Sequence, residues 1–309
     1  GTVMSIATGL ELAHPLEHET HLRWQQSTPD GGVLYDGDQR ILELGPRLPQ
    51  GIAALYLILR PGGSNVSRYL TVAWLQYAPQ IFASECIRLR CVQQSDERVI
   101  LRLQATTPDG CAENSTDIQI SYDAALGSYL YRFDQQLDIL RPWQVHHNDT
   151  SGELEFVNFY PGGVVGSTHD FPGAVNKRWQ MCVYTAQDGT LVAVPHNHHA
   201  LSGKKNIVPK LGGYVAYVVE DDNPVVRPLA CHPAVSVMGS LCAYMYDLHL
   251  GLKMCTPGQD LTLQPGASYH VSYEIFGIDR SRAERLAAQA KPQPLSPLEV
   301  ARTSLQPFR

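Results

Sequence analysis

Apolar and polar residues alternate with a period of two along most of this chain, as an extended strand with one buried and one wet face requires. The stretch ECIRLRCV sets Ile87, Leu89 and Cys91 against Arg88 and Arg90. RVILRLQATT, TDIQISYD, SYLYRFDQQLDIL, ELEFVNFY, RWQMCVYTA, GTLVAVP, GGYVAYVVE, VMGSLCAYMYDLHLGL and SYHVSYEIFGI read the same way, with PDGG, PDG and QDG turns between them. Several runs are longer than the usual strand of about 5–6 residues. They predict an all-β fold, a large antiparallel two-sheet β-sandwich. Helix signals appear only at the end. SRAERLAAQA places Ser281 and Glu284 in capping-box spacing, and SPLEVARTSL repeats the device with Ser296, Pro297 and Glu299. The expected organisation is one sandwich over residues 1–278 and a helical tail over 279–309. The break near 138–152 then falls between two halves of one sandwich.

Bulk properties narrow the partners. With 44% hydrophobic and 17% charged residues the chain has apolar mass for a sizeable core. Its net charge of −6 offers no basic footprint, so a nucleic-acid partner is not expected. No apolar run reaches the ~18 residues of a membrane span, so no membrane partner is expected. The first residues, GTVMSIATGLELAHP, lack the basic start and long apolar stretch of a signal peptide. Seven scattered cysteines with no CxxC suit buried free thiols and lean toward a reducing compartment. Glycosylation-type triplets at Asn65, Asn114 and Asn148 are compatible with secretion.

The stretch LTLQPGASYHVSYEIFGI (Leu261–Ile278) resembles the closing strands of the galactose-mutarotase-like supersandwich, where an L-x-P-G-x-x-Y turn leads into a last strand rich in aromatics. The resemblance implies a carbohydrate-active enzyme that binds a sugar or oligosaccharide on a concave sheet and works by acid–base chemistry. It also nominates Glu274, from a late strand, as a general base. The N-x-x-H-x-Y-F-N signature of aldose epimerases is absent. LEFVNFYPGG offers Asn158, Phe159 and Tyr160 without a histidine, so a lyase or glycoside hydrolase ranks above an epimerase and Tyr160 is retained as a sugar contact.

VAVPHNHHALSGKKN (Val192–Asn206) is the densest candidate site. Strand alternation carries the core-facing side from Val192 and Val194 to His196 and His198, which are expected to shuttle protons. Pro195 cuts across this by removing a ladder donor. Lys205, Asn206 and Tyr214 are expected to orient hydroxyls or a carboxylate, and His169 in GSTHDFPG to act as a second acid or base. No cofactor is expected. The metal alternative is a divalent ion on His196 and His198, since alternate strand residues converge on one ligand. A further rival is a non-catalytic carbohydrate-binding module. HPLEH (His14–His18), with His21, matches an inverted zinc-peptidase motif that would need a helix, but LRWQ directly after it reads as a strand. A looser reading lets this segment fold over the pocket and contribute a histidine. Trp24, Trp74, Trp143 and Trp179 can serve either as core or as sugar platforms.

Overall fold

The computed structural model describes residues 9–48, 51–72, 82–145, 153–161, 181–195, 204–218, 222–242, 247–255 and 261–293. In chain order the strands begin with β1 (Leu22–Thr28), β2 (Gly31–Asp36), β3 (Gln39–Leu48), β4 (Gly51–Leu57) and β5 (Ser67–Val72). Next come β6 (Ile87–Gln94), β7 (Val99–Thr106), β8 (Ala112–Asp123), β9 (Ser128–Ile139), β10 (Trp143–Val145) and β11 (Glu153–Pro161). β12 (Met181–Thr185), β13 (Leu191–Pro195), β14 (Lys204–Ile207), β15 (Val215–Val218) and β16 (Asn223–Cys231) follow. The chain continues through β17 (Ser236–Cys242), β18 (Asp247–Cys255), β19 (Leu261–Leu263), β20 (Ser268–Ile278), helix α1 (Arg280–Gln289) and β21 (Lys291–Pro292).

Two large sheets face each other. Among the described residues one has nine strands, in the order β1-β2-β3-β4-β5-β11-β18-β17-β14. The other has ten, in the order β21-β13-β12-β15-β16-β20-β9-β8-β7-β6. Their pairings are antiparallel except for β13 with β21. The chain is an all-β sandwich. Each sheet takes strands from both sides of residues 138–152, so neither half of the chain closes a sheet alone. Limited proteolysis is expected to give no pair of stable fragments cut in that window; recovery of two folded halves would contradict a single unit.

Alternation decides which face each residue meets. On β7 the residues Val99, Leu101, Leu103 and Ala105 are buried in the core between the sheets, while Arg102 and Gln104 point out. On β20, Val271, Tyr273 and Ile275 enter that core, and Ser272, Glu274 and Phe276 lie on the opposite face. Trp143 is fully buried in the core and Trp24 packs against it. The alternation on β6 breaks at a bulge between Cys91 and Gln93, leaving Cys91 only partly buried. Cys86, Cys91, Cys111, Cys182 and Cys231 are all free.

A second apolar layer covers part of the outer face of the ten-stranded sheet. Helix α1 packs over β13 and β15, and Leu10, Leu126, Ala216, Phe276, Ala283 and Leu286 share a buried cluster there. The helix is capped by Asp279, whose carboxylate accepts from the Arg282 amide, rather than by Ser281 as the capping-box spacing suggests. An Asp three residues before the amide it caps has the standard N-cap geometry. The second helix expected around Ser296 lies outside the described residues. VMGSLCAYMYDLHLGL also differs from expectation: it is a pair of antiparallel strands, β17 and β18, and not one long strand.

The segment before β1 is extended and not helical, so HPLEH does not form a zinc-peptidase helix. It runs as a strap along the β8–β9 turn, with the Leu12 and Leu16 amides donating to the carbonyls of Ala125 and Ala124. Its clasp is Asp36, which bonds His18 Nε2 at 2.7 Å and accepts from the His21 amide and the Tyr129 hydroxyl. Burial pushes the Asp36 pKa up, but these hydrogen bonds outweigh it and hold the carboxyl below its ordinary 3.8. A depressed folded pKa stabilises fully above the unfolded value, and that contribution is lost as pH falls through the folded one. The melting-temperature gap between wild type and Asp36→Asn should therefore narrow as pH drops from 6 past the carboxylate range. A gap independent of pH would show that the carboxylate charge contributes nothing to the clasp.

Candidate functional site

The outer face of the ten-stranded sheet changes character along its strands. Under α1 and the strap it is apolar; beyond them, on β20, β9, β8 and β7, the outward positions are polar. Glu274 stands on that seam. Phe276, its neighbour on the same face, belongs to the helix-covered layer, whereas Ser272 and His270 lead into the polar region.

Register sets the companions of Glu274. It faces Arg227 on β16 and Arg132 on β9, and Arg132 faces Gln119 on β8. One step beyond the Val215–Val226 pair, Tyr214 comes opposite Arg227. The row therefore reads Tyr214, Arg227, Glu274, Arg132, Gln119. Arg227 Nη1 lies 3.3 Å from Glu274 Oε1, and the guanidinium also sits over the Phe276 ring at 5.4 Å. Glu274 is only 9% exposed. Burial raises its pKa above the ordinary 4.5; Arg227 and Arg132 oppose the rise without cancelling it, and Asp123 adds to it. The Tyr214 phenol is pushed up to about 12 by burial, with Arg227 pulling against this and Glu11 adding to it. It stays neutral at physiological pH and can donate a hydrogen bond.

Next to this row lies a cavity of about 460 Å³. Arg102, Gln104, Ser115, Asp117, Asp134, Gln136, His270 and Ser272 contribute to its wall. Arg102 makes a two-pronged pair with Asp117 at 2.8 and 3.0 Å, and Arg132 approaches Asp134 at 3.5 Å. Among the described residues no three His, Cys, Asp or Glu side chains cluster as metal ligands, and no helix is long and apolar enough to cross a membrane.

The residues singled out from sequence fall into three groups. Glu274 and Tyr214 come together, one on each side of Arg227. Lys205 and Asn206 lie on β14, the edge of the nine-stranded sheet, and Tyr160 lies on β11 of that sheet, so the structure divides Lys205 and Tyr214 between the two sheets. His196, His198 and His169 lie outside the described residues, as do Trp74 and Trp179. The strand before the first two ends at Pro195, with Val192 and Val194 turned to the core between the sheets as alternation requires. Arg227, Arg132 and His270 were not singled out. For Arg132 the signal was present, because alternation in SYLYRFDQQLDIL puts it on one face with Asp134 and Gln136.

No family model matches the chain, and no curated protein matches it. The chain is similar to solved galactose-mutarotase-like structures. A galactose mutarotase related enzyme from Lactobacillus acidophilus aligns at TM-score 0.41 and 7% identity, over 84% of this chain and 98% of the other. A putative aldose 1-epimerase from Klebsiella pneumoniae aligns at TM-score 0.44 and 10% identity, over 89% and 87%. A GH36 alpha-galactosidase from Geobacillus stearothermophilus aligns at TM-score 0.42 and 10% identity; this chain covers 41% of its length.

Proposed function

We propose that the protein is a carbohydrate-active enzyme that hydrolyses glycosides, with Glu274 as the general acid that protonates the departing glycosidic oxygen while a water, losing its proton to a second carboxylate, attacks the anomeric carbon. The observation that carries this reading is a mostly buried carboxyl with a raised pKa, held between two arginines and one row along the sheet from a polar cavity. Burial that favours the neutral acid is the usual preparation of a general acid for work near neutral pH. Asp134 supplies a second carboxylate. It stands diagonal to Glu274 across the β9–β20 pair, and such diagonal positions are ~7–8 Å apart. Those are backbone separations, from which the two side chains can set their carboxyl groups at the ~6.5–9.5 Å of inverting glycosidases. Arg227, Arg132 and the Tyr214 phenol are suited to holding hydroxyl groups of the sugar.

Elimination from a uronate is a poorer fit, because it needs a free cation beside the substrate carboxylate. Arg102, Arg132 and Arg227 each already have a carboxylate partner. His196, His198 and His169 stay proposed as additional proton carriers. The test is a panel of aryl glycosides and oligosaccharides followed by proton NMR, which reports both release of sugar and the anomer formed first. Turnover with inversion is expected. A protein that binds sugars without turning over any member of the panel would instead be a binding module.

A further inference from the structure

The cavity beside Glu274 is built in rows that run across the strands. Gln104, Ser115, Gln136 and His270 face one another in register across β7, β8, β9 and β20. Arg102, Asp117, Asp134 and Ser272 form the next row, and the Glu274 row follows directly. Neighbouring strands are ~4.8 Å apart, so the rows extend ~14 Å from β20 to β7. That spacing is close to the advance per residue of an extended glycan. The first row consists of amides, a hydroxyl and an imidazole, groups that both donate to and accept from hydroxyls. The second carries a guanidinium locked on a carboxylate, which fixes both groups as hydrogen-bonding partners without leaving a net charge.

From this we infer that the enzyme takes an oligosaccharide and not a single sugar. The residue undergoing reaction lies at Glu274, and at least two further residues run across the strands from β20 toward β7 along the cavity. The inference rests on the functional reading above. A single sugar at Glu274 reaches that row and the diagonal Asp134; Gln104 on β7, three strands away from β20, is beyond it.

The probes are linear oligosaccharides of one to four residues in the glucose, galactose and mannose series, titrated by calorimetry into wild type and the double variant Gln104→Ala/Gln136→Ala. Both glutamines are exposed, so the fold should survive; circular dichroism and melting confirm it. Affinity in the series that binds should rise at least about tenfold from one residue to three, equivalent to ~1.4 kcal/mol. In the double variant this advantage should fall below about twofold. Equal affinity for one and three residues would overturn the inference while leaving the assignment of a sugar-active site intact. Equal loss of both in the double variant would also overturn it, because the cavity would then hold the first sugar. No binding at any length in any series would sink both readings.

Discussion

Glu274→Gln is expected to lose between about 10²- and 10⁴-fold in turnover, the range a positioned general acid or base contributes. The substitution keeps the size of the side chain and an oxygen that can still accept from Arg227, and removes the titratable proton together with the charge. Stability should move the other way or stay level. Folding raises the Glu274 pKa, so the folded protein holds this proton more tightly than the unfolded chain, and ionisation above that pKa costs stability. A neutral glutamine removes that cost at pH 7–8, and the melting temperature should hold or rise. If Glu274 is the acid, wild-type rate must also decline as pH rises through its raised pKa. Arg227, proposed to hold a sugar hydroxyl, also tunes the Glu274 carboxyl and so has a separable signature. It favours the ionised carboxylate, so Arg227→Gln should shift the break in the pH–rate profile upward, not merely lower the rate. Full activity in Glu274→Gln would remove Glu274 from the chemistry.

The second large effect is on stability. Arg282 is 2% exposed, and its Nη1 donates to the carbonyls of Leu10 and Leu126, both at 2.7 Å, while its Nε donates to Asp279. One guanidinium thus ties the N-terminal strap, the β8–β9 turn and the cap of α1 over the sheet that carries the candidate site. Arg282→Ala takes the guanidinium donor from the Leu10 and Leu126 carbonyls and leaves Asp279 only the backbone amide it caps. Breaking a buried charged network from one side typically costs about 3–5 kcal/mol. For a chain of this length that corresponds to a melting-temperature drop on the order of 5 °C. Lysine should not rescue it, because an ammonium lacks the planar fork that reaches three separate acceptors. Chemical denaturation of the three proteins measures the difference; a loss below about 1 kcal/mol would show that the strap is held by Leu10 and its apolar neighbours instead.

What was legible in the sequence follows from what alternation can and cannot encode. The strands with a clean period, such as β7 and β9, declare both their extent and their faces. Alternation also groups Ser272, Glu274 and Phe276, but the polar–apolar mixture on that side conceals that it faces outward. The division into β17 and β18 was hidden because the residues between them, AYMY, contain no Gly, Pro, Asn or Asp to mark a break. Strand β16, which supplies Arg227, is disguised by Pro224 and Pro228. Prolines argue against a central strand, and here a register shift between Pro228 and Ala230 accommodates the second of them. The placement of Tyr214 and Glu274 on either side of Arg227 was out of reach for a different reason. It depends on β16 lying between β15 and β20, a long-range register that no local pattern specifies.

The location of the bound sugar is the most direct test of this account. A crystal structure of the Glu274→Gln protein with an oligosaccharide should place one sugar ring within hydrogen-bonding distance of residue 274 and Arg132. The remaining rings should run over β9 and β8 on the outer face of the ten-stranded sheet. A sugar seated at His196 and His198, with the face around residue 274 left to solvent, would contradict it.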